Sequence, residues 1–233
     1  MIRVHNLTKK FGNKTVFTDI NFSVKNGDFL TIVGPNGAGK TTLLKIMATL
    51  VKATEGTVEI EGFDIKQSPE KVRGIIGVIS HNTYLYSELT AVENLKFFGK
   101  MYAVPEIDTR LDDALEQTGL EHRKDDRVGT FSRGMKQRLS IARAILHKPA
   151  VLLLDEPYTG LDQQASASLE SVLNSLTGSG ITTIMISHDL KRSLALSDQV
   201  MILASGTVRY HAPASKIADV AEFQALYGRY TRN

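Results

Sequence analysis

The chain has no cysteine among its 233 residues, which excludes a disulfide framework and any thiol chemistry. Nor does any apolar run approach the roughly 18 to 20 residues needed to cross a bilayer. The longest candidates, residues 150–154 and 181–186, are strand-sized. The first eleven residues, MIRVHNLTKKF, carry no apolar core behind their basic positions and do not read as a secretory signal. Direct membrane insertion is therefore not expected, and a membrane role would fall to a partner. Charge of one sign is also missing: 28 Lys and Arg are interleaved with 25 Asp and Glu, so nucleic acid is not an expected partner. Repeats, low-complexity tracts and linkers are absent, so residues 1–233 are read as one domain with subdomains. A hydrophobic fraction of 42% is enough to build its core.

Residues 34–42 read GPNGAGKTT, a match to G-x-x-x-x-G-K-[ST] set directly after the apolar run 29–33 and before a helical pattern beginning near Thr42. A tight, glycine-rich strand-to-helix turn aims backbone N–H groups inward, and the helix N-terminus adds positive potential, so the loop is suited to polyphosphate. The candidate ligands are Gly34, Asn36, Gly37, Ala38, Gly39, Lys40, Thr41 and Thr42. Lys40 is expected to reach the β and γ phosphates, and the Thr41 hydroxyl to bind a magnesium ion. A turn that arose for packing alone would not need strand, lysine, hydroxyl and helix together.

Around this loop the pattern is α/β. Strands are expected at 2–7, 15–24 and 28–33, with Gly12, Asn13, Asn26 and Gly27 as turn residues, and β character continues at 56–60 and 75–79. This reads as an antiparallel β layer leading into a nucleotide-binding core. From Thr90 the period becomes helical. Thr90 and Glu93 form a capping box ahead of Val92, Leu95, Phe98 and Tyr102, and a second helix spans about 109–118. A helix starting at Ser132 carries Leu139, Ala142, Ile145 and Leu146 on one side and stops before Pro149. A βαβαβ alternation then follows: strand 150–154, helix 163–176, strand 181–186, a helix from Leu190 and strand 200–203. A last hairpin strand at 206–210, a short helix at 218–227 and a frayed tail at 228–233 complete the expectation. Residues 88–148 form the helical insertion.

The strand at 151–154 delivers Asp155 and Glu156 at its C-terminal end, where α/β folds place ligands. Asp155 is expected to organise the magnesium shell, and Glu156 to polarise the water that attacks the γ-phosphate.

With these motifs together, the chain resembles the ATP-binding subunit of ABC transporters over nearly its whole length. Residues 131–135, FSRGM, stand at the family's LSGGQ signature and precede KQRLSIARAIL, the expected helix. Arg133 replaces the first glycine and Met135 the glutamine, while Ser132 and Gly134 remain. In the family this segment acts in trans, its serine and helix N-terminus meeting the γ-phosphate held by the other subunit. Ser132 would serve equally as an ordinary N-cap, and both roles can hold. The resemblance makes Gly160, Leu161 and Asp162 the D-loop that couples the two sites across the dimer, with Asp162 among the nucleotide-binding residues. It makes His188 the switch histidine that contacts the γ-phosphate and steadies Glu156. Phe11 takes the adenine-stacking position; Phe17 competes, but its apolar strand pattern favours the core. His81 stands where the family has a glutamine that touches magnesium.

The resemblance implies an α/β fold of the ABC ATPase type, a P-loop NTPase core with an antiparallel β subdomain and a helical insertion. It implies ATP and Mg²⁺ as ligands, a second ATP-binding subunit as a homodimer partner, and a transmembrane permease subunit. The location implied is cytoplasmic, peripheral on the cytoplasmic face of the membrane. The RGM signature and the stretch LYSELTAVENL look most like exporter ATPases of the haem-exporter type linked to cytochrome c maturation. Five of the sixteen Phe and Tyr residues, Tyr84, Tyr86, Phe97, Phe98 and Tyr102, fall within nineteen positions. Phe98 is expected in the insertion's core, and Tyr84 to Tyr86 in a groove that receives a short helix of the membrane subunit. The competing reading is a soluble, non-transport ABC ATPase such as that of iron–sulfur cluster assembly, which would share every nucleotide motif. A chromosome-maintenance ATPase would need a long coiled coil, for which there is no pattern.

Overall fold

The computed structural model describes residues 1–80 and 82–231, built as two β-sheets and a set of helices. β1 (Ile2–Phe11), β2 (Lys14–Val24), β4 (Glu55–Ile60) and β5 (Phe63–Asp64) form an antiparallel sheet in the order β2-β1-β4-β5. β3 (Phe29–Val33) leaves that layer and joins a second sheet in the order β10-β9-β3-β8-β7-β6. The other members are β6 (Ile76–Ile79), β7 (Val151–Asp155), β8 (Thr182–Ile186), β9 (Gln199–Ala204) and β10 (Thr207–Pro213). Pairing is parallel from β9 through β3, β8 and β7 to β6, and only the edge strand β10 runs antiparallel. The expected antiparallel layer thus loses its third strand, because all five side chains of β3 are buried and require cover on both faces.

Successive residues of the parallel strands feed two different cores. Val151 and Leu153 face a core shared with the antiparallel sheet and with α1 (Lys40–Met47), which buries Leu43, Leu44, Ile46 and Met47 there. Leu152 and Leu154 face the opposite core, made with α3 (Ala91–Met101), α4 (Ile107–Gln117), α5 (Arg133–Ile145) and α6 (Gln163–Gly178). The period-two alternation of a strand therefore holds the phosphate-loop helix on one side of the sheet and the helical insertion on the other. A short helix, α2 (Pro69–Ile75), was not expected: Val72 is its one buried residue, so it carries no periodic signal.

At the far edge, α7 (Leu190–Leu196) packs on β3 and on α8 (Val220–Thr231), and α8 packs on β9, with Tyr210 of β10 in the same cluster. The tail expected to fray from residue 228 is helical to Thr231. Tyr227 and Tyr230 pack beside buried Phe223, and Tyr230 stacks on Tyr210 with centroids 5.8 Å apart. Among the described residues no helix is long and apolar enough to cross a membrane.

Candidate functional site

The loop between β3 and α1 sits at the carboxyl ends of the parallel strands. Lys40, 8% exposed, folds back so that its ammonium donates to the carbonyls of Gly34 at 2.7 Å and Pro35 at 3.0 Å. Burial lowers its pKa, and the carboxylates of Glu156 and Asp155 oppose that shift. Thr41 Oγ1 donates to Asp155 Oδ1 at 3.1 Å, which joins the first turn of α1 to the end of β7. Gly39 has φ +103°, and a Cβ there would lie 2.9 Å from Phe17 Cδ1, so the loop rests directly on the β2 core. Ala38 has its side chain buried, and its N–H donates to the Pro35 carbonyl at 3.2 Å.

A cavity of about 450 Å³ opens over this loop, with Asn36, Gly37, Lys40, Thr41, Thr42 and Glu156 in its walls. Phe11, 52% exposed, forms its rim, with Lys9 Nζ 4.2 Å from the ring centroid. Phe17 is fully buried, so of the two aromatic candidates only Phe11 presents a face to the cavity. Lys14 and Thr15 also line it, which sequence reasoning missed. The signal was available in the tight Gly12-Asn13 turn, which pairs Lys14 with Phe11 across the hairpin.

Glu156 follows β7 with φ 52°, its backbone N–H anchored to the Ile186 carbonyl at 3.1 Å. Its Oε2 lies 2.7 Å from His188 Nδ1. A carboxylate oxygen only accepts, so Nδ1 carries the proton and a neutral imidazole keeps its free lone pair on Nε2. Behind this pair a second cavity of about 440 Å³ is lined by Gly160, Asp162, Ser187, His188 and Arg192, and Glu156 borders both cavities. Asp162 caps α6, its Oδ1 accepting from Ala165 N at 2.7 Å.

Ser132 lines neither cavity. It caps α5, Oγ accepting from Met135 N at 3.2 Å, while Gly134 is buried so tightly that a Cβ there would meet Ala165 Cβ at 2.6 Å. His81 lies outside the described residues. The loop on its far side is pinned from the helical layer: buried Asn94 exchanges hydrogen bonds with the backbone of Tyr86 at 2.8 and 2.9 Å, and Arg143 donates to Thr83 O at 2.7 Å. Tyr84 and Tyr86 are exposed as expected, and Leu85 packs on the helical core. Phe98 differs from expectation. It is half-buried beneath Arg143, in contact with Tyr86 and Phe97, because α3 turns Leu95 and Gly99 into the core and leaves Phe98 on the flank.

Comparison with known proteins accords with this geometry. The ABC transporter family pattern matches residues 17–159, from β2 through the phosphate loop, the signature and the Asp155-Glu156 pair. The chain belongs to the ABC transporter family. It is an ABC ATPase with the ABC ATPase fold. The linearmycin resistance ATP-binding protein LnrL of Bacillus subtilis is 37% identical over 208 residues, 88% of this chain and 67% of the relative. The spermidine/putrescine import ATP-binding protein PotA of Haemophilus ducreyi is 35% identical over 211 residues, 89% of this chain but 57% of the longer relative. Among solved structures, cbiO1 from Clostridium perfringens, part of the transporter complex cbiONQ, superposes with a TM-score of 0.87 at 27% identity, covering 98% of this chain and 94% of that one. The dimeric, post-hydrolysis ATP-binding cassette MJ0796, bound to ADP and phosphate, gives 0.78 at 28% identity, covering 92% and 99%.

Proposed function

We propose that this ABC ATPase drives a membrane transporter as a head-to-tail pair of identical subunits, peripheral on the cytoplasmic face and docked on a transmembrane permease. The observation that carries the reading is the convergence of Lys40, Thr41, Asp155, Glu156 and His188 on the cavity over the phosphate loop and its border. The dimer seen for MJ0796 and the membership of cbiO1 in a transporter complex support the pairing and the docking.

The ATP phosphates lie along the loop, with Lys40 turning from the Gly34 and Pro35 carbonyls to the β and γ phosphates. Thr41 and Asp155 offer hard oxygen donors already within 3.1 Å of each other, the set that Mg²⁺ takes when phosphates and water supply its remaining ligands. No cluster of three or more acidic or histidine ligands exists among the described residues, as suits an ion held largely by its nucleotide. When bound, Mg²⁺ neutralises charge on the β and γ phosphates. Glu156 takes the proton of the attacking water, and His188 Nδ1–H holds the carboxylate in place. Contact of His188 with the γ-phosphate requires a proton on Nε2 as well. Ser132 and Gly134 of one subunit complete the site of the other, Asp162 lies at the shared boundary, and His81 takes the place of the magnesium-sensing glutamine.

Phe11→Ala tests the base site. Loss of base–aromatic stacking, worth about 1 to 3 kcal/mol, is expected to weaken ATP binding roughly 5- to 150-fold in a nucleotide titration, with binding of inorganic triphosphate unchanged. Unchanged ATP affinity removes Phe11 from the base.

For direction we propose export, on the likeness of the RGM signature and LYSELTAVENL to haem-exporter ATPases. The two relatives are named for resistance and for import, so the membrane partner decides. Tagged protein carrying Glu156→Gln, purified from its host's membranes in mild detergent with ATP, is expected to bring down a multi-spanning protein in stoichiometric amount. Recovery of soluble proteins alone would favour a non-transport ATPase instead.

A further inference from the structure

Arg133 is the residue by which this signature departs most in charge from the family's glycine. Its side chain is exposed at the first position of α5, next to the cap Ser132. Among the described residues its guanidinium forms no ion pair or hydrogen bond, although Arg110, Arg123 and Arg192 each find a carboxylate. Instead it occupies the open side of Gly160. A Cβ on Gly160 would lie 2.5 Å from Arg133 Cζ and Nη1 and 2.9 Å from Nη2, so all three atoms crowd the place a side chain would take. Gly160 has φ +74°, a conformation that glycine adopts without strain. The contact joins two segments with different duties. In the pair proposed above, Ser132 and Arg133 open the helix that faces the partner's nucleotide, and Gly160 stands in the turn that leaves Glu156, where Thr159 N–H returns to the Glu156 carbonyl at 3.2 Å. The close packing of Gly134 on Ala165 adds a second tie between α5 and the first turn of α6.

We propose that Arg133 is a positioning residue that couples the two nucleotide sites of the pair, its planar guanidinium on Gly160 transmitting engagement of the partner's ATP at Ser132 to Glu156 of its own subunit. The inference rests on the head-to-tail pair proposed above. It predicts that a flat group is needed and that charge alone is not enough, since an ammonium has no plane to lay against a peptide.

The test is ATP hydrolysis by purified protein over a range of ATP concentrations, with ATP affinity measured separately at protein concentrations where the chain is monomeric. The wild type is expected to be cooperative, with a Hill coefficient between 1 and the limit of about 2 for two sites. Arg133→Ala is expected to bring it toward about 1 and to lower turnover ~10- to 100-fold, the scale of a misplaced reacting group, with monomer ATP affinity and melting temperature unchanged. Arg133→Lys is expected to behave like Arg133→Ala. A non-cooperative wild type overturns the paired reading and this inference with it. A cooperative wild type with an equally cooperative Arg133→Ala, or full rescue by Arg133→Lys, overturns the inference alone.

Discussion

Glu156→Gln is expected to bind ATP with wild-type affinity and to release phosphate about 100- to 10,000-fold more slowly, the range that a positioned general base contributes. The substitution changes little else. The backbone at Glu156 is held at φ 52° by its bond to the Ile186 carbonyl, which any side chain leaves intact. A glutamine amide oxygen can still accept from His188 Nδ1, now 2.7 Å from the carboxylate, so the imidazole keeps its orientation. What the amide cannot do is take a proton from water. Lys40, Thr41 and Asp155 are untouched, so in the proposed pair closure around ATP is expected to proceed and reopening to wait on chemistry. The variant should therefore accumulate as an ATP-bound pair, visible as an ATP-dependent shift to twice the mass in size-exclusion chromatography, beside the slow phosphate release. Turnover near the wild-type rate would remove Glu156 from the reaction and leave water activation to another group.

That pair of acids was legible because its signal is local: an apolar strand followed immediately by two carboxylates. The phosphate loop was legible for the same reason, and so was the start of α3, where Glu93 N–H reaches Thr90 Oγ1 at 3.2 Å and Thr90 N–H reaches Glu93 Oε2 at 2.8 Å. Features that depend on contacts distant in the chain were not. β3 follows β2 in sequence yet inserts between β8 and β9, because a strand buried on both faces needs neighbours that arrive some 150 residues later. The last turn of α8 looked like a polar tail because its anchors, Tyr227 and Tyr230, pack on β10 and neighbouring elements. Phe98 fitted the apolar period of its helix, but Gly99 lets Ile107 of α4 approach so closely that the core forms beside Phe98. The approach of Arg133 to Gly160 is the extreme case: two residues of unremarkable type, 27 positions apart in sequence, whose contact exists only once α5 and α6 have packed.

The same physics separates two glycines of the phosphate loop and sets the largest expected effect on stability. A Cβ on Gly34 would lie 2.0 Å from the carbonyl oxygen of Leu203 and 3.1 Å from its carbon, against the backbone of a fully buried residue. Neither partner can rotate away, since β3 and β9 are held by the parallel pairing that ends at Val33 and Ile202. Gly34→Ala must therefore pry the end of β3 from β9, and it also displaces the carbonyl that accepts from Lys40 at 2.7 Å. Overpacking usually costs about 1 to 3 kcal/mol, and a clash between two fixed backbones belongs at or beyond the top of that range. At about 2 to 4 °C per kcal/mol for a chain of this size, calorimetry should show a fall in Tm of at least ~6 °C, together with loss of ATP binding. Gly37→Ala provides the contrast. Gly37 has φ +81° but no atom within 4 Å of where its Cβ would stand, so the substitution costs only local strain of about 1 to 2 kcal/mol. If Gly34→Ala melts no lower than Gly37→Ala, the approach of β9 to the loop is not what requires glycine at position 34; if it melts much lower and loses ATP, the strand that carries the loop and the loop's own lysine anchor are one structure.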